Sequence, residues 1–251
     1  MKSLKLYLGS IIDNDDVYFE SLLDDDDKFV DPENDEKVIK NIIKNYINDN
    51  YSIDGNLNIL DDFTVDCAGD VTVKNKNIES LTNEPFRWGK VDGDFICDYC
   101  KKLTSLKGGP KEVGKDFYCD HCDNLTSLEN APQRVEGDFN CSLCDKLTSL
   151  KGAPAVVRGS FICEECKSLT TLKGAPEDVG GGFSCNDCRK LISLEGSPRS
   201  VSENFECHGC TKLKSLKGAP EVVCGYFYYG YHDKIKKTNS DREKYLLKYI
   251  D

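Results

Sequence analysis

The sequence has few of the residues on which catalytic and membrane-spanning proteins depend. Its 251 residues include three histidines, one tryptophan and one methionine. No stretch approaches the roughly 20 apolar residues that span a bilayer. The first residues are interrupted by Lys5 and Gly9, so we expect no signal peptide. Glycine-rich phosphate loops, nucleophile elbows and paired-carboxylate pockets are also missing from the sequence. We therefore expect neither a membrane protein nor an enzyme.

Acidic residues outnumber basic residues, and the formal net charge of the chain is -11. Most of the excess lies in residues 1–54, so the remainder is close to neutral. An acidic chain argues against a phosphate backbone as its main partner, and we expect no nucleic-acid binding. The run from Asp24 to Asp27 is typical of a solvated loop, with binding of a divalent ion or a basic partner as the alternative.

Cysteine, by contrast, is abundant, with fourteen in the chain. Without a secretion signal, so many cysteines indicate reduced thiols in a cytosol-like compartment, so we expect a cytoplasmic protein. Their placement follows an internal repeat of 22 residues without insertion or deletion. Six copies begin at Phe95, Phe117, Phe139, Phe161, Phe183 and Phe205, and Phe227 begins a broken seventh. A fixed period of this length predicts a solenoid.

Each position of the repeat has a predicted role. Phe95 and Cys97 lie two residues apart and would share one face of a short strand. Gly109 and Pro110 predict a turn, and Val113 then points back inward. The other predicted inward positions are Cys100, Leu103 and Leu106. With strands about 4.8 Å apart, seven stacked coils would form a rod about 30 Å long, in which each coil buries its apolar face against its neighbours.

The spacing Phe117-x-Cys119-x-x-Cys122-x-x-Leu125 resembles the LxLxxCxxL segment of leucine-rich repeats. The following Thr-Ser-Leu-Lys-Gly-Ala-Pro and Val-x-Gly-Asp-Phe stretches resemble repeats of large DNA viruses and bacteriophages. The resemblance covers about residues 55–230. It departs from the family because Val113 lies four residues before Phe117, and because the return side has no helix-forming run. We therefore expect a mainly β solenoid with strands and turns there. The resemblance implies a non-enzymatic, protein-binding scaffold, in a host cytoplasm or a virion.

Four segments are predicted. Residues 1–52 form an acidic lead followed by a capping helix over about residues 32–48, with an N-cap at Asp31 and an apolar stripe. Residues 53–94 form degenerate coils, and residues 95–230 form the regular ones. Residues 231–251 contain a second capping helix, over about residues 241–250, after the aromatic run that ends at Tyr231. The predicted stripe of the first helix consists of Val38, Ile39, Ile42, Ile43, Tyr46 and Ile47.

The degenerate segment keeps some positions of the repeat. Val71 and Val73 stand where Phe and Cys would stand, and Ile78 to Pro85 match Leu103 to Pro110. Cys67 stands outside the regular scheme. We interpret Trp88 as a packing residue at an irregular coil, with an exposed binding anchor as the alternative.

The CxxC pairs have three possible roles. They could be a buried structural ladder of thiols, since free cysteine packs like a small hydrophobe. Their spacing also fits four-thiolate zinc sites between adjacent coils, although nothing in the sequence distinguishes alternate coils. Disulfides are sterically possible too. We favour the ladder, with no cofactor. The alternative zinc ligands are Cys97, Cys100, Cys119, Cys122, Cys141, Cys144, Cys163, Cys166, Cys185, Cys188, Cys207 and Cys210.

The outward positions vary between copies whereas the core positions do not. Variation suits a recognition surface, although a solvated face would vary as well. The predicted function is a protein-protein interaction or assembly scaffold that binds through the exposed strand face. The alternatives are a zinc-organised repeat protein and a structural spacer. The candidate partner-binding residues are Ile96, Tyr118, Asn140, Ile162, Glu206 and Tyr228, with an acidic patch of Asp94, Asp116 and Asp138 that favours a basic partner.

Overall fold

The computed structural model describes residues 32–81 and 86–230, and shows a parallel β-solenoid of about 7 turns with one helix near its N-terminal end. Two sheets of nine strands each form two of its sides. Helix α1 runs over Pro32–Asn50 and leads directly into the first strand. Within the described residues, no helix has both the length and the apolar character needed to cross a bilayer.

The strands are numbered along the chain and alternate between the two sheets in the regular coils. Sheet A contains, in order, β1 (Tyr51–Asp54), β4 (Asp70–Val73), β6 (Phe95–Ile96), β8 (Phe117–Tyr118), β10 (Phe139–Asn140), β12 (Phe161–Ile162), β14 (Phe183–Ser184), β16 (Phe205–Glu206) and β18 (Phe227–Tyr228). Sheet B contains β2 (Leu57–Ile59), β3 (Thr64–Cys67), β5 (Arg87–Val91), β7 (Glu112–Val113), β9 (Arg134–Val135), β11 (Val156–Val157), β13 (Asp178–Val179), β15 (Ser200–Val201) and β17 (Val222–Val223).

The core consists of the columns that the repeat predicts. Phe139 pairs with Phe117 on one side and Phe161 on the other, so identical side chains meet in parallel register. Their rings stack with centroids 5.3 and 5.2 Å apart. The two cysteines and two leucines of each coil from Phe95 to Leu216 are also buried. The return side consists of short strands and turns and not helices, as expected.

Most coils have a glycine at a crowded position in the turn before sheet B. Gly152 has φ +86°, and a Cβ there would lie 2.4 Å from the backbone of Glu129 in the preceding coil. The left-handed conformation and the lack of space both disfavour a side chain at Gly152. The same geometry recurs at Gly174, Gly196 and Gly218. Asn130 takes the equivalent position one coil before Gly152, with φ +69°.

At the N-terminal end, the chain direction reverses in both sheets. β1 pairs antiparallel with β4, and β2 pairs antiparallel with β3. Helix α1 covers this end with Ile39, Ile43 and Ile47 buried, as predicted, and it extends to Asn50. The prediction was wrong for Val38, which is 45% exposed because it lies at the solvent edge of the stripe. The predicted N-cap Asp31 lies outside the described residues.

The degenerate coil follows the predicted alignment. Val71 pairs with Phe95, and Ser80 forms a bridge with Ser105. Trp88 is buried, which confirms its packing role. Cys67 is not outside the scheme: it lies opposite Val91 in sheet B and therefore occupies the valine column.

At the other end, the aromatic run is only partly used for packing. Phe227 is buried and stacks on Phe205 at 5.0 Å, whereas Tyr226 and Tyr228 are 60% and 45% exposed. The predicted lead of residues 1–30 and the predicted helix over residues 241–250 lie outside the described residues. The fold thus positions a long, regular outer face on sheet A.

Candidate functional site: the outer face of sheet A

The predicted partner-binding positions lie together on the outer face of sheet A. The parallel register aligns Tyr118 with Ile96 and Asn140, and the same pairing continues coil by coil. These side chains are half-buried or exposed because they alternate with the buried Phe and Cys of each coil. The complete column is Ile96, Tyr118, Asn140, Ile162, Ser184, Glu206 and Tyr228. The structure therefore assembles one continuous row from residues 22 apart in sequence.

The predicted acidic patch is also assembled, and its carboxylates have a structural role. Oδ1 of Asp94 accepts the backbone N–H of Asp116 at 2.9 Å, and Oδ1 of Asp116 accepts that of Asp138 at 2.7 Å. Asp70 and Asp138 make the same contact with the coil that follows each of them. We call this series the carboxylate ladder. One oxygen of each aspartate is thus committed to the backbone.

A recurring glycine makes room for the carboxylate ladder. A Cβ at Gly137 would lie 2.0 Å from Oδ1 of Asp116, and one at Gly159 would lie 2.3 Å from Oδ1 of Asp138. These distances are far too short for any side chain. The Val-x-Gly-Asp-Phe stretch noted in the sequence is therefore explained by a side chain that arrives from the preceding coil.

Tyr118 connects the ladder to the outer row. Its hydroxyl donates a hydrogen bond to Oδ2 of Asp116 at 2.9 Å. Burial, followed by this hydrogen bond and the charges of Asp116, Asp94 and Asp138, raises the pKa of Tyr118 to about 12. A phenol is protonated at neutral pH in any case, and the raised pKa keeps this one a hydrogen-bond donor further into the alkaline range. The hydrogen bond holds the phenol beside the carboxylates, where a basic partner side chain could pack against it.

A second outward column contains a polar network that the sequence did not predict. The amide nitrogen of Asn186 donates to Glu164 at 2.9 Å and to Glu206 at 3.1 Å. Ser142 likewise accepts the backbone N–H of Glu164. Asn186 and Ser142 stand at outward positions of the repeat but are buried, because neighbouring coils enclose their hydrogen bonds. This part of the face is therefore rigid.

The residue before the second cysteine adopts an unusual backbone conformation. Tyr99, His121, Leu143, Glu165 and Asp187 all have φ between 53° and 57°. This left-handed turn directs the next cysteine inward, and it leaves the five side chains at the edge of the face. The rings of Tyr99 and His121 stack there at 4.2 Å. No periodic pattern in the sequence indicates this conformation, because only the sixth copy has glycine, Gly209, at that position.

The second cysteine of each pair holds consecutive coils together. The thiol of Cys122 donates to the carbonyl of Cys97 at 3.3 Å, and that of Cys188 donates to Cys163 at 3.1 Å. The contact recurs at Cys144, Cys166 and Cys210. A thiol thus satisfies a carbonyl that turns into the core at the strand end. We call this the thiol ladder.

All fourteen cysteines are free thiols in the structure, and thirteen are buried. Burial raises the pKa of Cys100 to about 11, and that of Cys97 well above its usual range. In the absence of a metal ion, burial therefore keeps these thiols in their neutral form. Within the described residues, no three cysteine, histidine or acidic side chains are grouped so that they could hold a metal ion.

The ionisable side chains of the outer face of sheet A are predominantly acidic. We define the acidic strip as residues 94–99, 116–121, 138–143, 160–165, 182–187 and 204–209. It contains nine carboxylate side chains and no lysine or arginine. Burial and the nearby Asp98 raise the pKa of Asp120, which reflects this crowding of negative charge. Lys76 from the preceding coil offsets part of it by contacting Asp98 at 2.8 Å.

Comparisons with family models, curated proteins and solved structures found no match to this chain.

Proposed function

We propose that the protein is a non-catalytic binding or assembly scaffold that recognises a basic protein partner through the outer face of sheet A. The observation that carries the proposal is the alignment of varied, partly exposed side chains on a sheet whose interior hardly varies. Flat parallel sheets with rigid cores present such side chains without a loss of conformational freedom on binding. The hydrogen-bonded ladders and the buried Asn186 support the same conclusion.

The aromatic and aliphatic members of the outer row are the proposed anchors. Tyr118 and Ile162 are half-buried, so contact with a partner would bury further apolar surface around side chains already held in place. Tyr228 extends the row to the C-terminal end and is 45% exposed. The carboxylate oxygens that the ladder leaves free would then attract lysine and arginine around these anchors.

The proposal includes the leucine-rich-repeat-like character and a viral or bacteriophage origin, with the protein acting as a host-factor binder or virion component. It is supported by the repeat stretches described above and by a composition rich in Asn, Asp, Lys and Ile. The proposed location is the host cytoplasm or the virion. A structural spacer with no specific ligand is the competing function.

Affinity capture from extracts of the source cell tests the proposal. The double variant Tyr118→Ala/Ile162→Ala should lose the captured partner. The matched control is Val156→Ala/Val222→Ala, which removes outward apolar side chains from sheet B and should leave capture unchanged. Equal recovery with all three proteins would contradict the choice of face. If the wild-type protein recovers no partner under any condition, the spacer function is favoured.

Zinc binding is the second candidate, because the CxxC spacing of successive coils suits four-thiolate sites. Metal analysis of protein purified without chelator tests it, together with thiol titration. Three equivalents of zinc per chain would replace the thiol ladder with metal sites. If the cysteines form the thiol ladder without metal, we expect no stoichiometric zinc. One thiol, that of the exposed Cys224, should then react fast.

A further inference from the structure

The side of the solenoid that follows the second cysteine has the opposite charge to sheet A. We define the basic strip as residues 101–109, 123–131, 145–153, 167–175, 189–197 and 211–219. It contains twelve lysine and arginine side chains, all of them exposed, and four carboxylates. The near-neutral charge of the repeats therefore conceals two strips of opposite sign on two sides of one rod.

The four carboxylates of the basic strip are already paired within it. Lys151 contacts Glu129 at 2.7 Å and Lys217 contacts Glu195 at 2.6 Å, in each case between adjacent coils. Asp123 and Asp145 are paired in the same way. Seven other lysines have no carboxylate within ion-pair distance in the part of the chain that the structure describes. They are Lys102, Lys107, Lys146, Lys173, Lys190, Lys212 and Lys214.

The two strips also share a spacing. Carboxylates of the acidic strip occur in all six coils and basic side chains of the basic strip in five of them, spaced at multiples of about 4.8 Å along the rod. Asp94, Asp116 and Asp138 fall on successive coils, and Lys102 and Lys146 fall two coils apart. An unrelated partner would have to match this period by chance, whereas a second copy of the chain matches it by construction. Charge complementarity and period together identify the partner.

We propose that a second copy of this chain lays its basic strip along the acidic strip, so that rods associate side by side. The inference rests on the proposed function, since it names the basic partner of the same face. The contact joins two different surfaces, so a pair leaves the basic strip of one copy and the acidic strip of the other free, and further copies can add at both. Because the lysines are exposed and the carboxylates are no more than half-buried, association should be weak and strongly dependent on salt.

Sedimentation velocity with the full chain tests the proposal at low and high salt, about 20 and 300 mM. The wild-type protein should associate in low salt and be monomeric in high salt. The basic-strip variant Lys107→Glu/Lys146→Glu/Lys190→Glu should be monomeric in both. So should the acidic-strip variant Asp120→Lys/Glu165→Lys/Glu206→Lys. Thermal unfolding of each variant verifies that it is folded.

Mixing the two variants provides the decisive measurement. Each variant keeps one strip intact and loses most of the net charge of the other, so its self-association is weakened, whereas the intact acidic strip of one variant complements the intact basic strip of the other. An equimolar mixture should therefore form complexes in low salt that neither variant forms alone. Both variants retain a net negative charge, so general attraction does not explain recovery. The control Glu112→Lys/Glu177→Lys/Glu221→Lys reverses charge beside sheet B and should associate like the wild type.

A monomeric wild-type protein in low salt, or a mixture that stays monomeric, would overturn the proposal. Binding of a labelled 20-nucleotide polyuridine to the wild type, lost in the basic-strip variant and without self-association, would assign the basic strip to polyanions instead. If the acidic strip still captures another protein while the chain stays monomeric, the proposed function survives and this inference fails.

Discussion

The regular coils and the N-terminal region bury aromatic side chains in two different ways. From Phe95 to Phe227, the rings lie nearly parallel, with interplanar angles of 5° to 25°. Around Trp88, the rings of Tyr51, Phe86 and Phe95 meet edge to face, at angles between 74° and 83° for their contacts with Trp88. Both arrangements are favourable for aromatic pairs. The parallel arrangement follows because identical phenylalanines repeat from one coil to the next. The edge-to-face arrangement is possible around Trp88 because its neighbours are unlike one another.

This difference shows how the stack of repeated coils is brought to an end. A coil in the regular region can pack only against a copy of itself, so its core side chains are constrained to be alike. The N-terminal region ends the repetition with antiparallel strands and with α1, whose buried isoleucines have no counterpart in the coils. The cap therefore needs dissimilar residues, and the coils need identical ones.

The largest expected effect is in the middle of the ring stack. Phe161→Ala should lower the free energy of unfolding by about 3–5 kcal/mol, because it leaves a cavity and interrupts stacking on both sides. Phe227→Ala, at the end of the stack, should cost less because that ring stacks on Phe205 alone among the phenylalanines. Chemical denaturation measures both values. Equal losses would show that the stack is not the source of the stabilisation.

A smaller loss is expected at the cap. Ile43→Ala should lower the free energy of unfolding by about 2–4 kcal/mol, since this fully buried side chain joins α1 to the first coil. Val38→Ala is the matched control on the same helix and should change it by less than about 0.5 kcal/mol. Proteolysis combined with thermal unfolding distinguishes loss of the cap from loss of the whole rod. A negligible effect of Ile43→Ala would mean that the cap contributes little.

Removing one thiol of the ladder should have a moderate effect. Cys166→Ala removes a small buried side chain and the contact with the carbonyl of Cys141, and should cost about 1–2 kcal/mol. Cys224→Ala changes an exposed thiol and should be nearly neutral. Thermal unfolding under reducing conditions gives the comparison. Identical melting of both variants and the wild type would exclude a structural role for the ladder thiol.

The smallest expected effect is a gain in stability, because one position of the carboxylate ladder is a glycine and has no side chain. Gly182 occupies the ladder position, and a Cβ built there lies 3.9 Å from the backbone nitrogen of Asn204 and 3.2 Å from its carbonyl oxygen, so a small shift of the backbone is needed to accept it. Gly182→Asp should restore the missing acceptor and stabilise the fold by about 0.5–1 kcal/mol. Gly181→Asp is the matched control and should destabilise, because its Cβ would lie 2.7 Å from the backbone of Gly159. If chemical denaturation showed Gly181→Asp to be more stable than Gly182→Asp, the ladder interpretation would be contradicted.

The repeat alone predicts the core and the outward rows, because a fixed period and alternation determine which side chains face inward. It does not predict the role of Asp116, since an aspartate before a strand has the same appearance whether it is solvated or bound to the next coil. The glycine that precedes Asp138 was the available signal. The left-handed residues, such as Leu143, could not be predicted because most side chains there do not favour that conformation.

The antiparallel pairing of the first strands could not be predicted from the sequence either. Leu57 and Ile59 show the same alternating pattern whether their strand pairs parallel or antiparallel. Cys67 was misinterpreted for a related reason: its neighbours lack the repeat spacing, and only the register of β3 with β5 places it opposite Val91. The separation of charge could have been found from sequence, by summing charge position by position across the copies instead of along the chain.

The direction of the two ladders has a consequence for synthesis. The backbone N–H of Asp116 reaches back to a carboxylate of the earlier coil, and the thiol of Cys122 reaches back to an earlier carbonyl. Each new coil emerging from the ribosome therefore meets a completed neighbour that already presents both acceptors. We expect the rod to grow one turn at a time during translation, from α1 onward, without waiting for the chain to be finished.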